Sequence, residues 1–437
     1  MTLKLVDDVM LYRPMQYLGA KLRSLEVVGQ AIDSLKSPPK HALDLFSGSS
    51  VVSQYMKSKG MRVTANDAMG FCSVVAEATI GNVDCKNTPE QLIELTGRDI
   101  ESSSAWKLYG EYAKSEQKAV DKKQAEALIE MYHNLPQSWR DSSLAPLLEE
   151  GRKCGFERGD VISSLYAGTY FGVNQAISID YIRNRIEELM KKMMITKYEE
   201  SLLLTALVSA ISKSVFSAGK HFAQPHLIRD GKDQSFVKRR ILTDRSVLIF
   251  DEFECALREL FKLRMNSPSN NSIAVKGAFE NLLEEGSQDP YDLIYVDPPY
   301  TAQQYSRFYH IPEVLINYEF PELQLVKGSV TRGLYPVDRF KSRFCSKREA
   351  GNAFEDVFNL ADKNNSSLIV SYSLSKSGVT GNDRMISFDE LMSMCRNYAG
   401  GNVSIVEFDH VYRQFNKQSS INNVKEDKEI QIVCERY

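Results

Sequence analysis

Tyr291-Asp292-Leu293-Ile294-Tyr295-Val296-Asp297-Pro298-Pro299-Tyr300 is the stretch whose reading decides the fold. Its apolar run, rich in β-branched and aromatic residues, predicts a buried strand, and the double proline ends that strand in a rigid turn. In open α/β sheets ligands sit at the carboxyl ends of the strands, which is where Asp297 stands. Pro298 carries a carbonyl but no N–H, so the turn offers acceptors and a flat apolar face, followed by the Tyr300 ring. Two acceptors and a ring suit an exocyclic amino group on a planar base. A plain strand with a proline turn would look the same, so the reading rests on what surrounds it.

Upstream, Ala42-Leu43-Asp44-Leu45-Phe46 reads as a second buried strand, followed by Ser47-Gly48-Ser49-Ser50 and a helix through Gln54 to Lys59. Gly60 closes that helix, and Met61 to Asp67 is a further strand ending in an acid. Strand, glycine turn, helix, strand and acid form the first half of a nucleotide-binding α/β unit. Gly48 lets backbone pass close to a ligand, the following helix N-terminus offers N–H groups to a carboxylate, and Asp67 is placed for ribose hydroxyls. The turn is neither G-x-G-x-x-G nor a P-loop, which disfavours dinucleotides and nucleoside triphosphates. A ligand with a ribose and a carboxylate but no phosphate fits, and S-adenosylmethionine is such a ligand.

Between these halves the pattern changes. Residues 85–263 carry long helical periodicities, such as Ser115 to Tyr132, Ile182 to Met193 and Glu199 to Val215, without a Gly/Ser/Pro-rich linker on either side. We read them as a largely helical insertion between residues 1–84 and 264–437, the two halves of one α/β domain. The second half adds strands at Ser272 to Gly277 and Leu368 to Ser373. A terminal pair, Val403 to Phe408 and Glu429 to Cys434, flanks the polar stretch Asn416 to Asp427 and predicts an antiparallel hairpin completing a mostly parallel sheet.

Composition agrees with a soluble globular chain: 437 residues, 43% hydrophobic, 25% charged, net charge −3. No apolar run approaches the roughly 20 residues of a membrane span, and Met1 to Val9 lacks a signal-peptide pattern, so a cytoplasmic location is expected. The seven cysteines and six histidines are dispersed, which argues for reduced thiols and against a metal site. With a slightly acidic chain, any polyanion must be met locally. Thr331 to Arg348 holds six basic residues (Arg332, Arg339, Lys341, Arg343, Lys347, Arg348) against one acid. Ala210 to Arg245 holds eight, including Lys238, Arg239 and Arg240, against three. Both runs interleave aromatics, the mix expected of loops that contact a nucleic-acid backbone.

Together these residues resemble the D12 class of amino-group DNA methyltransferases, which includes the Dam-type N6-adenine methylases. Tyr17-Leu18-Gly19-Ala20-Lys21 resembles that class's Tyr-x-Gly-x-Lys cofactor motif, and Asp44 to Ser50 its Asp-Leu-Phe-x-Gly-x-Gly loop. Asp67 resembles its second-strand acid and Asp297-Pro298-Pro299-Tyr300 its catalytic motif, in the same order along the chain. The resemblance implies a Rossmann-like class I methyltransferase sheet with a helical target-recognition insertion. It also implies S-adenosylmethionine held by Tyr17, Gly19, Lys21, Asp44, Phe46, Ser47, Gly48, Ser49 and Asp67, and methylation of adenine N6 in double-stranded DNA with the base flipped onto Tyr300. A restriction endonuclease or other defence-system partner is the setting it suggests. Adenine is preferred to cytosine N4 because Asp rather than Ser opens the catalytic motif. Methylation of cytosine N4 or of RNA, or a catalytically silent DNA-binding specificity subunit, are the competing readings. Two departures stand out. Ser50 replaces the last glycine of the loop, which is harmless where no positive φ is needed. Lys276-Gly277-Ala278-Phe279 stands where relatives place an acid near the cofactor's adenine, which leaves that contact unassigned.

Overall fold

The computed structural model describes residues 3–6, 9–81, 83–140, 149, 153, 159–228, 234–268, 270–285, 289–374, 383–408 and 428–436. The predicted polar stretch Asn416 to Asp427, Cys154 and four charged residues of the second basic run (Arg229, Asp230, Lys232, Asp233) lie outside them.

A hairpin of β1 (Leu3–Val6) and β2 (Val9–Tyr12) leads into helix α1 (Leu25–Asp33). Then follow β3 (His41–Asp44), α2 (Val51–Ser58), β4 (Arg62–Asp67) and α3 (Gly70–Ile80). Helices fill most of the next stretch, among them α4 (Val173–Lys191), α5 (Lys197–Ser214) and α6 (Ile249–Asn266). Strands resume with β5 (Ile273–Lys276) and β6 (Leu293–Val296). Helix α7 (His310–Asn317) and a small hairpin of β7 (Leu325–Val326) and β8 (Ser329–Val330) come next. The chain continues through α8 (Ala350–Asn364), β9 (Ser367–Leu374), α9 (Phe388–Tyr398), β10 (Val403–Phe408) and β11 (Lys428–Cys434).

Seven strands form one sheet in the order β10-β11-β9-β6-β3-β4-β5. The five from β9 to β5 are parallel, and β11 runs antiparallel between β9 and β10. The expected mostly parallel sheet with a terminal antiparallel pair is therefore observed. From β3 the chain moves outward to β4 and β5 on one side and later to β6 and β9 on the other. The ends of β3 and β6 thus flank the switch point at which such sheets bind ligands.

Side-chain alternation explains why β6 can be apolar throughout. Leu43, Ile294, Val296 and Leu368 point to a core shared with Phe354, Val357 and Leu360 of α8. Ala42, Leu293, Tyr295 and Ile369 point to the opposite core, with Val28 of α1 and Met56 of α2. Both faces are covered, so neither tolerates polar residues. The helical stretch shares a third core with the α/β part: Leu203 and Leu207 of α5 cluster with Phe71 of α3, Tyr12 of β2 and Ile311 and Leu315 of α7. Within that stretch the predicted helix Ser115 to Tyr132 is two, Ser104–Asp121 and Ala125–Asn134, because Lys123 adopts a left-handed φ of 54° between them.

Candidate active site

The loop after β3 is built from backbone. Ser47 N–H donates to Asn66 O at 2.9 Å and Ser50 N–H to Ser47 O at 2.7 Å, closing a tight turn before α2. Asp67 holds this turn, accepting Gly48 N–H at 2.9 Å on one oxygen and Met69 N–H at 2.9 Å on the other. Gly48 has φ +50°, and a Cβ there would stand 2.7 Å from Tyr17 Cε1, so only glycine fits beneath that ring. Tyr17 is in turn stacked on Tyr309, with centroids 4.6 Å apart and planes 9° apart. Ser50 corrects the sequence reading. Its φ is 61°, so this position does take the left-handed conformation that the more usual glycine adopts freely. The fully buried Ser50 hydroxyl accepts a hydrogen bond from Thr79 at 3.2 Å.

Burial shapes the acids of this end. It raises the Asp67 carboxyl to about 6, against the opposing pull of its backbone donors. It also raises Asp44 to about 7, although Ser53 Oγ donates to Asp44 at 2.5 Å.

Asp297, at the end of β6, sits in a different network. Its Oδ2 lies 2.8 Å from Lys21 Nζ, and the Tyr300 hydroxyl donates to its Oδ1. Lys21, only 5% exposed, also contacts Glu429 Oε1 of β11 at 2.5 Å. Burial raises the Asp297 carboxyl while the Lys21 ammonium opposes that rise. The Tyr300 ring has the Lys21 ammonium 5.6 Å and the Arg384 guanidinium 5.8 Å from its centroid, and Tyr372 packs edge-on at 5.7 Å. Arg384 is anchored by its donation to Ser373 O at 2.8 Å.

These two ends border one cavity of about 340 Å³. All nine residues expected to hold the cofactor line it, as do Asp297, Pro299 and Tyr300; Pro298 is buried and is not part of the lining. Lys21, read as a cofactor ligand, is spatially a partner of Asp297. Sequence reasoning missed Glu429, Arg384 and Glu280, and of the ring trio Phe46, Phe279 and Phe344, whose centroids lie 5.2–5.7 Å apart, it named only Phe46 as a cofactor residue. Glu280, one residue past Lys276 to Phe279, is an acid that lines the cavity. Its place was readable from Phe279-Glu280; Glu429 had no local signal.

The cavity fits S-adenosylmethionine on its own chemistry. Ser47 Oγ, Asn66 Oδ1 and Tyr295 Oη are buried lining atoms without a hydrogen-bond partner among the described residues, an arrangement that calls for a polar ligand. The aromatic trio supplies a face for a purine, and Asp67 a carboxylate for hydroxyls.

The expected DNA-contacting cations divide into two groups. Arg343 is engaged by Asp356 at 2.6 Å and Glu280 at 3.2 Å, Lys238 by Glu126 at 2.7 Å, and Arg240 by Asp244 at 3.0 Å. Arg332, Arg339, Lys341 and Arg239 have no carboxylate partner among the described residues. Arg332 contacts Gln224, and Arg339 donates to Pro336 O at 2.7 Å and lies over Tyr335. Lys341 is exposed, and Arg239 lies over Phe236 at 6.0 Å.

The description "D12 class N6 adenine-specific DNA methyltransferase" matches residues 17–141 and 250–376, together more than half of the chain. The chain belongs to this family. Its D12 match places the Tyr17-to-Lys21 segment, the Asp44 loop and Asp67 in the first stretch and the Asp297 motif in the second. Among similar proteins, Modification methylase LlaI of Lactococcus lactis subsp. lactis is 25% identical over 406 residues, covering 93% of this chain and 52% of LlaI. Type II methyltransferase M.FokI of Planomicrobium okeanokoites is 26% identical over 360 residues, 82% of this chain and 44% of the relative. Modification methylase StsI of Streptococcus sanguinis is 24% identical over 421 residues, covering 95% and 50%. This D12 chain thus spans about half the length of the curated relatives it matches.

Proposed function

We propose that the chain transfers a methyl group from S-adenosylmethionine to the N6 amine of a flipped adenine in double-stranded DNA. The observation that carries this reading is that Asp297 shares one cavity with the Gly48 loop and Asp67. When bound, the cofactor supplies the electrophilic methyl. The residues that would hold it are Gly48, Ser47 and Asp67, with Phe46, Phe279 and Phe344 around its purine and Glu280 beside them.

The amine is a poor nucleophile because its lone pair is delocalised into the ring. The Asp297 carboxylate, which lines the cavity, accepts one of its hydrogens, favours the pyramidal amine and localises that lone pair. Pro298, whose carbonyl was expected to take the other, is buried behind the lining. Asp297 then stabilises the positive charge that develops on nitrogen. Lys21 keeps Asp297 ionised against the effect of burial. A base inside a duplex cannot reach this cavity, so it is flipped out, and Tyr300 borders the place it enters.

We read residues 85–263 as the target-recognition segment, and a restriction endonuclease as the partner implied by relatives named modification methylases. Asp297→Ala tests the chemistry. Calorimetry should show S-adenosylmethionine and DNA still bound, while methyl transfer falls by at least about 10³-fold. Undiminished transfer would overturn the assignment of Asp297.

A further inference from the structure

Lys21 has two carboxylates on one ammonium. Asp297 Oδ2 lies at 2.8 Å and Glu429 Oε1 at 2.5 Å, with the Gly19 carbonyl a weaker third acceptor at 3.4 Å. Glu429 comes from the far end of the chain. It reaches the cavity because β11 inserts antiparallel beside β9, with Glu429 in register with Ser373, another lining residue. It is 19% exposed, and a carboxylate is rarely so buried without a paired charge.

With Lys21 alone beside it, Asp297 would belong to a neutral pair. Its Oδ2 would face the full ammonium and its Oδ1 already accepts the Tyr300 hydroxyl. A neutral pair complements poorly a reaction that develops positive charge on the amine. The second carboxylate makes the trio of Lys21, Asp297 and Glu429 net negative by one charge.

We propose that Glu429 is a positioning residue of the active site, drawing on the Lys21 ammonium so that Asp297 keeps its negative charge and a free lone pair for the target amine. This inference rests on the methyltransferase reading above. It gives Lys21 two tasks in balance: holding Asp297 in place and ionised, without neutralising it. Glu429 sets that balance.

The test is a double-mutant cycle on the full chain, with tritiated S-adenosylmethionine and duplex DNA. Glu429→Gln should lower kcat by at least about tenfold, with KM for both substrates changed by less than about threefold, the pattern of an interaction realised in the transition state. Lys21→Met leaves two carboxylates with no cation between them. Adding Glu429→Gln to that variant should therefore cost nothing further and restore part of the lost activity. If Glu429 merely anchors β11, its replacement costs the same factor in both backgrounds, which overturns the proposal. Melting curves and cofactor calorimetry guard against misfolding: if Glu429→Gln melts early and loses S-adenosylmethionine along with activity, its role is structural and the proposal also falls. If the unmodified chain transfers no methyl group, the proposed function itself fails and this inference with it. Transfer by the unmodified chain with equal losses in both backgrounds removes this inference alone.

Discussion

Gly48 and Ser50 turn the same loop but ask different things of a side chain. At Gly48 a Cβ would meet the Tyr17 ring at 2.7 Å. Gly48→Ala should therefore displace Tyr17 from its stack on Tyr309 and weaken S-adenosylmethionine binding by at least about tenfold, as read by calorimetry, which is the scale of one misfit at a packed site. At Ser50 the strain of a left-handed residue, about 1 kcal/mol, opposes a buried hydrogen bond worth about 1 kcal/mol. Ser50→Gly should be nearly neutral in thermal unfolding, while Ser50→Ala loses the bond and keeps the strain; equal stabilities for the two would contradict this. Asp67 makes a pH prediction. Burial holds its carboxyl at about 6, above the unfolded value of about 3.9, so its contribution to stability falls as pH rises between those values. Ribose hydroxyls donate to the ionised form, so cofactor affinity should rise through pH 6 and then flatten. Asp67→Asn should remove the part of that profile centred near 6; an unchanged profile would place the cofactor elsewhere. Gly48, Asp67 and Asp297 were legible in the sequence because each is tied to one backbone position. The φ of Ser50 was not, because serine does not advertise a left-handed conformation.

At the scale of elements, strands that end in an acid gave themselves away through short apolar runs buried on both faces and the breakers that follow them. What positions those ends relative to one another was hidden. Glu313 of α7 accepts Gly70 N–H at 3.0 Å and Phe71 N–H at 3.1 Å, capping α3 immediately after the Asp67 turn. One carboxylate thus joins α7 to the helix that follows β4. Glu313→Ala should cost about 1–2 kcal/mol, the value of a charged N-terminal cap, measured by denaturant unfolding, and should weaken S-adenosylmethionine binding as the turn loosens. A stability loss with cofactor affinity intact would limit the cap to a folding role. Glu429 was hidden for a related reason: it enters the cavity only through the register of β11 with β9. The pairing of Glu429 to Cys434 with Val403 to Phe408 was legible, but nothing in the segment betrays that its other neighbour is β9.

For the whole molecule, the helical stretch was legible as helical but not in its packing, since its core is shared with Tyr12, Phe71 and Leu315 from both flanks. Charge shows the same limit. The basic runs were counted along the chain, yet the carboxylates that neutralise Lys238, Lys213 and Arg343 come from Glu126, Glu252 and Asp356, outside those runs. The structure therefore narrows the DNA-facing candidates. Replacing Arg332, Arg339 and Lys341 together with Ala should weaken binding to all duplexes and reduce the salt slope by up to about 0.9 per lost phosphate contact. Arg343→Ala should leave that slope in place and lower the melting temperature instead, because Asp356 and Glu280 lose their cation; a lost slope with stability intact would return Arg343 to the DNA surface. The central claim, that the cavity joining Asp67 to Asp297 methylates an adenine amine, has one most direct measurement. The full chain is incubated with tritiated S-adenosylmethionine and a mixed-sequence duplex, the DNA is digested, and the nucleosides are separated. The account predicts label in N6-methyladenosine's deoxy form and its disappearance with Asp297→Ala; label in 5-methylcytosine, or equal label with Asp297→Ala, would contradict it.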